Sequence, residues 1–400
     1  MAKPSGQPVA PENRAPRLAA RRNEKMAESA HAYVRGSTVK FYEWLERPDR
    51  GAIPEGPPVW ICGDCHVGNL GPVANADGEI AIQIRDLDQT VIGNPTHDLV
   101  RLGLSLAMAA RGSDLPGVTT AQMLEQMMAG YEEAFEDAAK DKSAEPPELV
   151  KRALRQAAGR SWKHLADERI EGLEPAIPLG KRFWPITPDE KHAIKDLFAE
   201  DGLRQLVTSL RSRNDDAPIK VRDAAYWQKG CSSLGLLRFA VLVETGSGKE
   251  VKHCLVDVKE ASGAAAPRKA GAKMPRDNGE RVVEGARHMS PFLGSRMLSA
   301  RLMDKAVFVR ELLPQDLKLD LEYLSRAEAM SVAKFLSFVV GRAHARQMGT
   351  LDGGSWLQEL KRNRTKSLDA PSWLWTSVVD LVATHERAYL EHCRRFALAA

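Results

Sequence analysis

From about residue 218 to 315, the helical spacing of apolar residues that governs much of this 400-residue chain gives way to short β-like segments. Residues 219–221, 236–244 and 254–260 read as strands, with the glycines at 246 and 248 turning the last two. Residues 280–289 then read as a helix and 306–312 as another strand. Helical patterns occupy 23–47, 96–111, 119–140, 148–167 and 187–211 before this block, and 326–346 and 372–397 after it. The order constrains the fold class to α+β. A small β-rich lobe, 216–315, interrupts a larger helical lobe made of 23–215 and 316–400.

Local signals place some boundaries. Thr96 is a candidate N-cap, and Thr187-Pro-Asp-Glu190 is a capping box with Pro at the first helical position. Met123, Met127, Tyr131 and Phe135, spaced by four, form a core stripe. Residues 1–22, rich in Pro, Ala and Arg, read as a disordered leader. Residues 262–280, rich in Gly, Ala, Lys and Arg, read as a mobile loop.

Bulk properties exclude several classes. The chain is 43% hydrophobic and 28% charged with net charge +4, and its basic residues are scattered, so no nucleic-acid face is expected. No apolar run approaches the roughly 18 residues that span a bilayer. An odd count of five cysteines and the lack of a secretory signal lead us to expect reduced thiols and a cytoplasmic location.

Chemistry concentrates around residues 60–88. Asp64 and Asn69 lie five residues apart in Gly63-Asp-Cys-His-Val-Gly-Asn69, and Asp86 and Asp88 follow in Ile84-Arg-Asp-Leu-Asp88. A strand at 59–62, a turn at Asn75-Ala-Asp-Gly78 and a strand at 79–84 put both acidic sites on loops flanking a hairpin. Phosphoryl transfer needs a carboxylate to orient the acceptor hydroxyl, and an amide and a carboxylate to hold Mg²⁺ against a triphosphate. Gly230, Ser232, Ser233 and Gly235 form a loop before a strand whose backbone N–H groups suit phosphates. Cys62-Gly-Asp-Cys65-His66 also satisfies haem-attachment and redox patterns, but no export signal precedes it, and Gly68, Gly71 and Pro72 oppose the helix a redox motif opens.

The Gly-Asp-x-His-x-Gly-Asn pattern resembles the catalytic loop of the aminoglycoside phosphotransferase and choline kinase branch of the protein-kinase-like superfamily. Asp86, Gly93 and Asp98-Leu99 repeat that branch's downstream rhythm. The resemblance implies that Asp64 is the catalytic carboxylate, that Asn69 and Asp86 hold Mg²⁺ with Asp88 nearby, and that Asp98 holds the loop. Lys259 is similar to the strand lysine that pairs with ATP phosphates, with Glu284, or alternatively Glu280, as its helix-borne partner. Here the loop precedes the β-rich part, so the implied fold is a circularly permuted, two-lobed kinase-like fold. The helix ending Val340-Gly-Arg-Ala-His-Ala-Arg346 would then meet the loop in space. Arg35, Arg310, His344 and Arg346 are further candidate contacts.

A longer set of ordered landmarks resembles an uncharacterised bacterial domain-of-unknown-function family. They include Tyr33-Val-Arg-Gly36, Ser233-Leu-Gly235, Val258-Lys-Glu-Ala261, Arg281-Val-Val-Glu284 and Val309-Arg-Glu-Leu312. Ser232 stands where that family favours glycine, and Cys62 replaces the phosphotransferases' histidine. The expected activity is Mg²⁺-dependent transfer from ATP to an unknown small-molecule or protein acceptor. The alternatives are a catalytically silent nucleotide sensor and a nucleotidyl transferase.

Overall fold

The structure, a computed structural model, describes residues 9–138, 144–170, 175–209, 213, 217–230, 234–248, 251–319, 324–361, 364–365 and 368–396. Three helices open it: α1 (Pro11–Ala27), α2 (Ala30–Gly36) and α3 (Thr38–Leu45). Four short strands follow: β1 (Val59–Ile61), β2 (Leu70–Ala74), β3 (Ile80–Ile84) and β4 (Val91–Gly93). Next come α4 (Pro95–Gly112), α5 (Gly117–Ala138), α6 (Glu148–Ala158), α7 (Trp162–Arg169), β5 (Phe183–Trp184), α8 (Pro188–Leu197) and α9 (Asp201–Thr208). The β-rich part comprises β6 (Ile219–Trp227), β7 (Arg238–Thr245), β8 (Lys252–Glu260), α10 (Asn278–Met289), α11 (Pro291–Gly294), β9 (Met297–Leu302) and β10 (Lys305–Leu312). Helices α12 (Arg326–Ala345) and α13 (Thr350–Lys361), the paired strands β11 (Arg364–Thr365) and β12 (Leu368–Pro371), and α14 (Ser372–Phe396) follow. Among the described residues, no helix is long and apolar enough to cross a membrane.

The large sheet is antiparallel, in the order β5-β6-β7-β8-β10-β9. Its central strands are buried on both faces, so they read as nearly continuous apolar runs. One face packs Val241, Val243, Cys254 and Val256 against Ile194, Leu197 and Leu203 of α8 and α9. The other packs Leu242, Leu255 and Trp227 against Leu165 of α7. Burial of each such aliphatic side chain contributes roughly 1.5–3 kcal/mol. A second, larger core joins α4, α5, α12, α14 and the short strands. Helices α5 and α12 cross closely, because a Cβ at Gly130 would lie 2.0 Å from the Lys334 carbonyl oxygen. That crossing fixes where the C-terminal end of α12 points.

Several sequence expectations are corrected. Much of the supposed disordered leader is helix α1, which buries Leu18 against the sheet core. Arg14 forms a buried two-point ion pair with Glu190, 176 residues away. Composition signalled disorder because the compensating partners are remote. The cap of α4 is Asn94, whose side chain accepts from Thr96 N, since Pro95 takes the first helical position. The 148–167 helix breaks at Gly159, and Ser161 with His164 caps a new one. Strand β5, α8 and α9 belong with the sheet, so the β-rich unit begins before residue 216. The 262–277 segment is tied across the small strands: Ala265 N donates to Gln89 Oε1 (2.7 Å) and Lys269 N to Ile92 O (2.9 Å). The capping box at Thr187 is present as expected.

Candidate functional site

Antiparallel pairing of β1 with β4 sets the base of the first loop. Leaving β1, the chain turns at Gly63, where φ is +75° and a Cβ would fall 2.1 Å from the Gln89 carbonyl oxygen. Glycine is required there. Asp98, fully buried in the first turn of α4, accepts from Cys62 N (2.7 Å) and Gly63 N (2.9 Å). His344, at the end of α12, places Nε2 3.2 Å from the Asp98 carboxylate and Nδ1 2.9 Å from the Tyr131 hydroxyl. Gln347 exchanges hydrogen bonds with both backbone groups of Trp60, at 2.8 and 3.0 Å. Late helix and early loop therefore meet, and His344, fully buried with both ring nitrogens engaged, braces the loop.

Asp64 is buried, with Oδ1 2.9 Å from Arg101 Nε. Burial pushes its carboxyl up, against the pull of Arg101. Burial, then Arg101, hold His66 well below its ordinary range, so its ring is neutral beside Asp64. Asn69 Nδ2 donates to Asp64 O (3.0 Å), and among the described residues nothing donates to its amide oxygen. The β2–β3 hairpin pairs Leu70 with Ile84, and Arg85 N donates to Asn69 O (2.7 Å). Asn69 and Asp86 thus flank one end of a single hairpin.

The second acidic loop meets the large sheet. Lys259 on β8 is almost fully buried and forms a close ion pair with Asp88, its Nζ also lying 3.6 Å from Asp86 Oδ1. The Asp86 side chain is 49% exposed, whereas that of Asp88 is 20% exposed. Burial opposes ionisation of Asp86, but Lys259 and neighbouring cations hold its carboxyl well below the usual range. Burial and the Asp86 charge push Asp88 up to about 6. Antiparallel register puts Lys259 opposite Arg238, and Asp257 opposite Arg310, all on one sheet face. Arg238 grips Asp257 at 2.8 and 2.5 Å, and Arg310 Nη2 lies 3.5 Å from it.

The donor set suits a hard cation. Asn69 offers a free amide oxygen, Asp86 a half-exposed carboxylate, and Asp88 Oδ1 is buried without a hydrogen-bond partner. Among the described residues, no three His, Cys, Asp or Glu side chains group as a metal site. Mg²⁺ ordinarily takes one or two protein carboxylates, with phosphates and water completing its shell, so Asn69, Asp86 and Asp88 fit it.

Other candidates fall as follows. Gly230 and Gly235 adopt positive φ, +99° and +104°, and both abut α1: Lys25 Nζ donates to Gly230 O (3.1 Å). Ser232 and Ser233 lie outside the described residues. Glu284 pairs with Arg287 (3.2 Å) and His288 (3.6 Å) on its own helix, so Asp88, not Glu284, meets Lys259. Arg346 is exposed, and Arg35 packs beside Gly68 with an unpartnered Nε. Contact with Cys65, then burial, push the Cys62 thiol well up, which leaves it unreactive.

The sequence reading missed Arg101, Arg238 and Arg281. Arg101 had a signal, as a lone cation within the apolar body of α4. Arg281 donates to Thr90 O (2.5 Å), Asp88 O (3.0 Å) and Ser262 O (2.8 Å), a role visible only in three dimensions.

The model of a bacterial family, DUF2252, described as an uncharacterized protein conserved in bacteria, matches residues 14–395. The chain belongs to this family. No curated protein and no solved structure matches it. The DUF2252 match spans every site residue above and begins at Arg14, the α1 residue paired with Glu190.

Proposed function

We propose that this DUF2252 protein is a Mg²⁺-dependent phosphotransferase that uses ATP. The carrying observation is the convergence of Asn69 and Asp86 at one hairpin end with Lys259, from a strand 171 residues beyond Asp88. Mg·ATP supplies the transferable phosphoryl group and the cation that screens it. Asn69 and Asp86 would hold the metal, with Asp88 beside them. Asp64, whose raised pKa makes it a stronger base than an ordinary aspartate, orients the acceptor hydroxyl or amine and takes its proton. Lys259 neutralises phosphate charge, so a nucleotide would compete with Asp88 for its ammonium.

Two features support a permuted kinase-like arrangement. Lys259 lies on the third of three consecutive long antiparallel strands, with α10 next in sequence, as the kinase lysine precedes its αC helix. The end of α12 contacts the loop that a kinase would carry directly after such a helix. One observation favours a silent nucleotide sensor as a second reading: Arg101 already holds Asp64 Oδ1.

Incubation with γ-labelled and α-labelled ATP and a cell extract as acceptor source separates these readings. Label from the γ position only, lost in Asp64→Asn with ATP binding retained, is expected. Label from the α position would mean nucleotidyl transfer. Binding with no transfer from either position would favour the sensor.

A further inference from the structure

Beside the site, four cations surround one small cavity and outnumber the acids that could answer them. The cavity, of about 50 Å³, is lined by Arg85, Arg169, Lys229 and Arg310, and among the described residues Asp316 is its only carboxylate. Asp316 is engaged by Arg296 at 3.0 and 3.1 Å. Asp257, which Arg310 approaches, is held by Arg238. Glu168, 3.9 Å from Arg169 Nε, accepts from Arg160 at 2.6 Å. Among the described residues, no carboxylate lies within ion-pair distance of Lys229. Its ammonium sits 4.2 Å from the centre of the Trp227 ring, which Arg238 and Arg169 also approach at 4.9 and 5.3 Å.

Three donors are left over. The Nε atoms of Arg85, Arg169 and Arg310 are buried and donate to nothing. Buried polar groups are normally satisfied, and several like charges around one void repel one another. Burial first, and then the guanidiniums of Arg238, Arg310 and Arg169 against the pull of Asp257, push Lys229 well below the ordinary lysine range. A water needs roughly 10–15 Å³ of such space, so the cavity admits a few waters or one tetrahedral oxyanion. An oxyanion answers both deficits, because its oxygens accept from several N–H groups at once while its charge offsets theirs.

We infer that this cavity binds a phosphate group. The inference does not depend on phosphoryl transfer. The phosphate has two possible sources, since Arg85 adjoins Asp86: the nucleotide's own chain, or a separate phosphorylated ligand.

The test is a thermal-shift and calorimetric titration of the full chain with inorganic phosphate, against sodium chloride at matched ionic strength. Wild type, Lys229→Met and Arg169→Met are compared with Lys195→Met, an exposed-lysine control on α8. Wild type and the control should show a saturable, phosphate-specific rise in Tm. Either cavity variant should bind phosphate at least about tenfold more weakly, the loss of one charge-assisted contact. Both variants should also melt higher than wild type without phosphate, because repulsion is relieved. Repeating the titration with saturating Mg·ATP assigns the source: additive shifts mean a separate phosphorylated ligand, and competition means the nucleotide's phosphates. A wild-type response to phosphate no greater than to chloride overturns the inference, even if a variant fails to fold. So does undiminished phosphate affinity in both variants.

Discussion

Replacing Lys259 with methionine should expose how the two acidic side chains are held. The ammonium is almost fully buried, pairs closely with Asp88 and lies 3.6 Å from Asp86 Oδ1. At that distance one unit-charge pair is worth about 4–5 kcal/mol for an effective dielectric of ~20. Half-exposed Asp86 is well screened, so most of the effect belongs to Asp88. Removing one partner of a buried pair typically costs about 3–5 kcal/mol, because the other charge is stranded. The loss should be pH-dependent. Asp88 is raised to about 6, so below that pH it takes up a proton and no longer needs the ammonium. In denaturant titrations, Lys259→Met should lose about 3–5 kcal/mol at pH 8 and about 1 kcal/mol or less near pH 5. The double variant Lys259→Met, Asp88→Asn should recover most of the pH 8 loss, since neither charge remains. Equal losses at both pH values, or a double variant as unstable as the two single losses summed, would refute the coupling.

Three further outcomes follow from the same geometry. Asp98→Asn removes the charge that two backbone N–H groups and His344 address, so it should lower stability by about 2–4 kcal/mol, with a transition unchanged from wild type counting against the hub. Arg14→Met strands buried Glu190 and should cost about 3–5 kcal/mol; calorimetry showing no change would return α1 to the status of a loose leader. His385 is buried and its ring is held down to about 4, by burial first, so the unfolded chain binds the extra proton between about pH 4 and 6.5 and stability falls as pH drops through that window. His31 and His97 are held down to about 4 in the same way, so His385→Leu should make that acid limb shallower by one proton's share in melting curves, and an unaltered limb would contradict the assignment.

What was legible in the sequence was local. The hairpin turn at Asn75–Gly78, the capping box at Thr187 and the short apolar, β-branched runs of β7 and β8 each depend on neighbours a few residues apart. What was not legible depended on remote partners. Helix α1 is helical because Leu18 and Arg14 find the sheet core and Glu190, and neither contact leaves a trace in the composition of residues 1–22. Lys259 was identifiable as a strand lysine, but its partner was not, because Glu284 points along its own helix while Asp88 arrives from the early hairpin. Arg310 was named singly as a candidate contact, but its grouping with Arg85, Arg169 and Lys229 was not legible, because the four come from separate segments. Asp64, Asn69 and Asp86 could be named as candidates from the sequence, and their placement around one hairpin follows from local glycine and strand signals.

The central claim is that Asn69, Asp86 and Lys259 together form a nucleotide site. A thermal-shift titration with ATP and Mg²⁺ on wild type and Asp86→Asn tests it most directly. Wild type should gain about 2.7 kcal/mol at a ligand concentration of about 100 times Kd, and the variant should lose most of that gain. A wild-type melting temperature indifferent to Mg·ATP would contradict it.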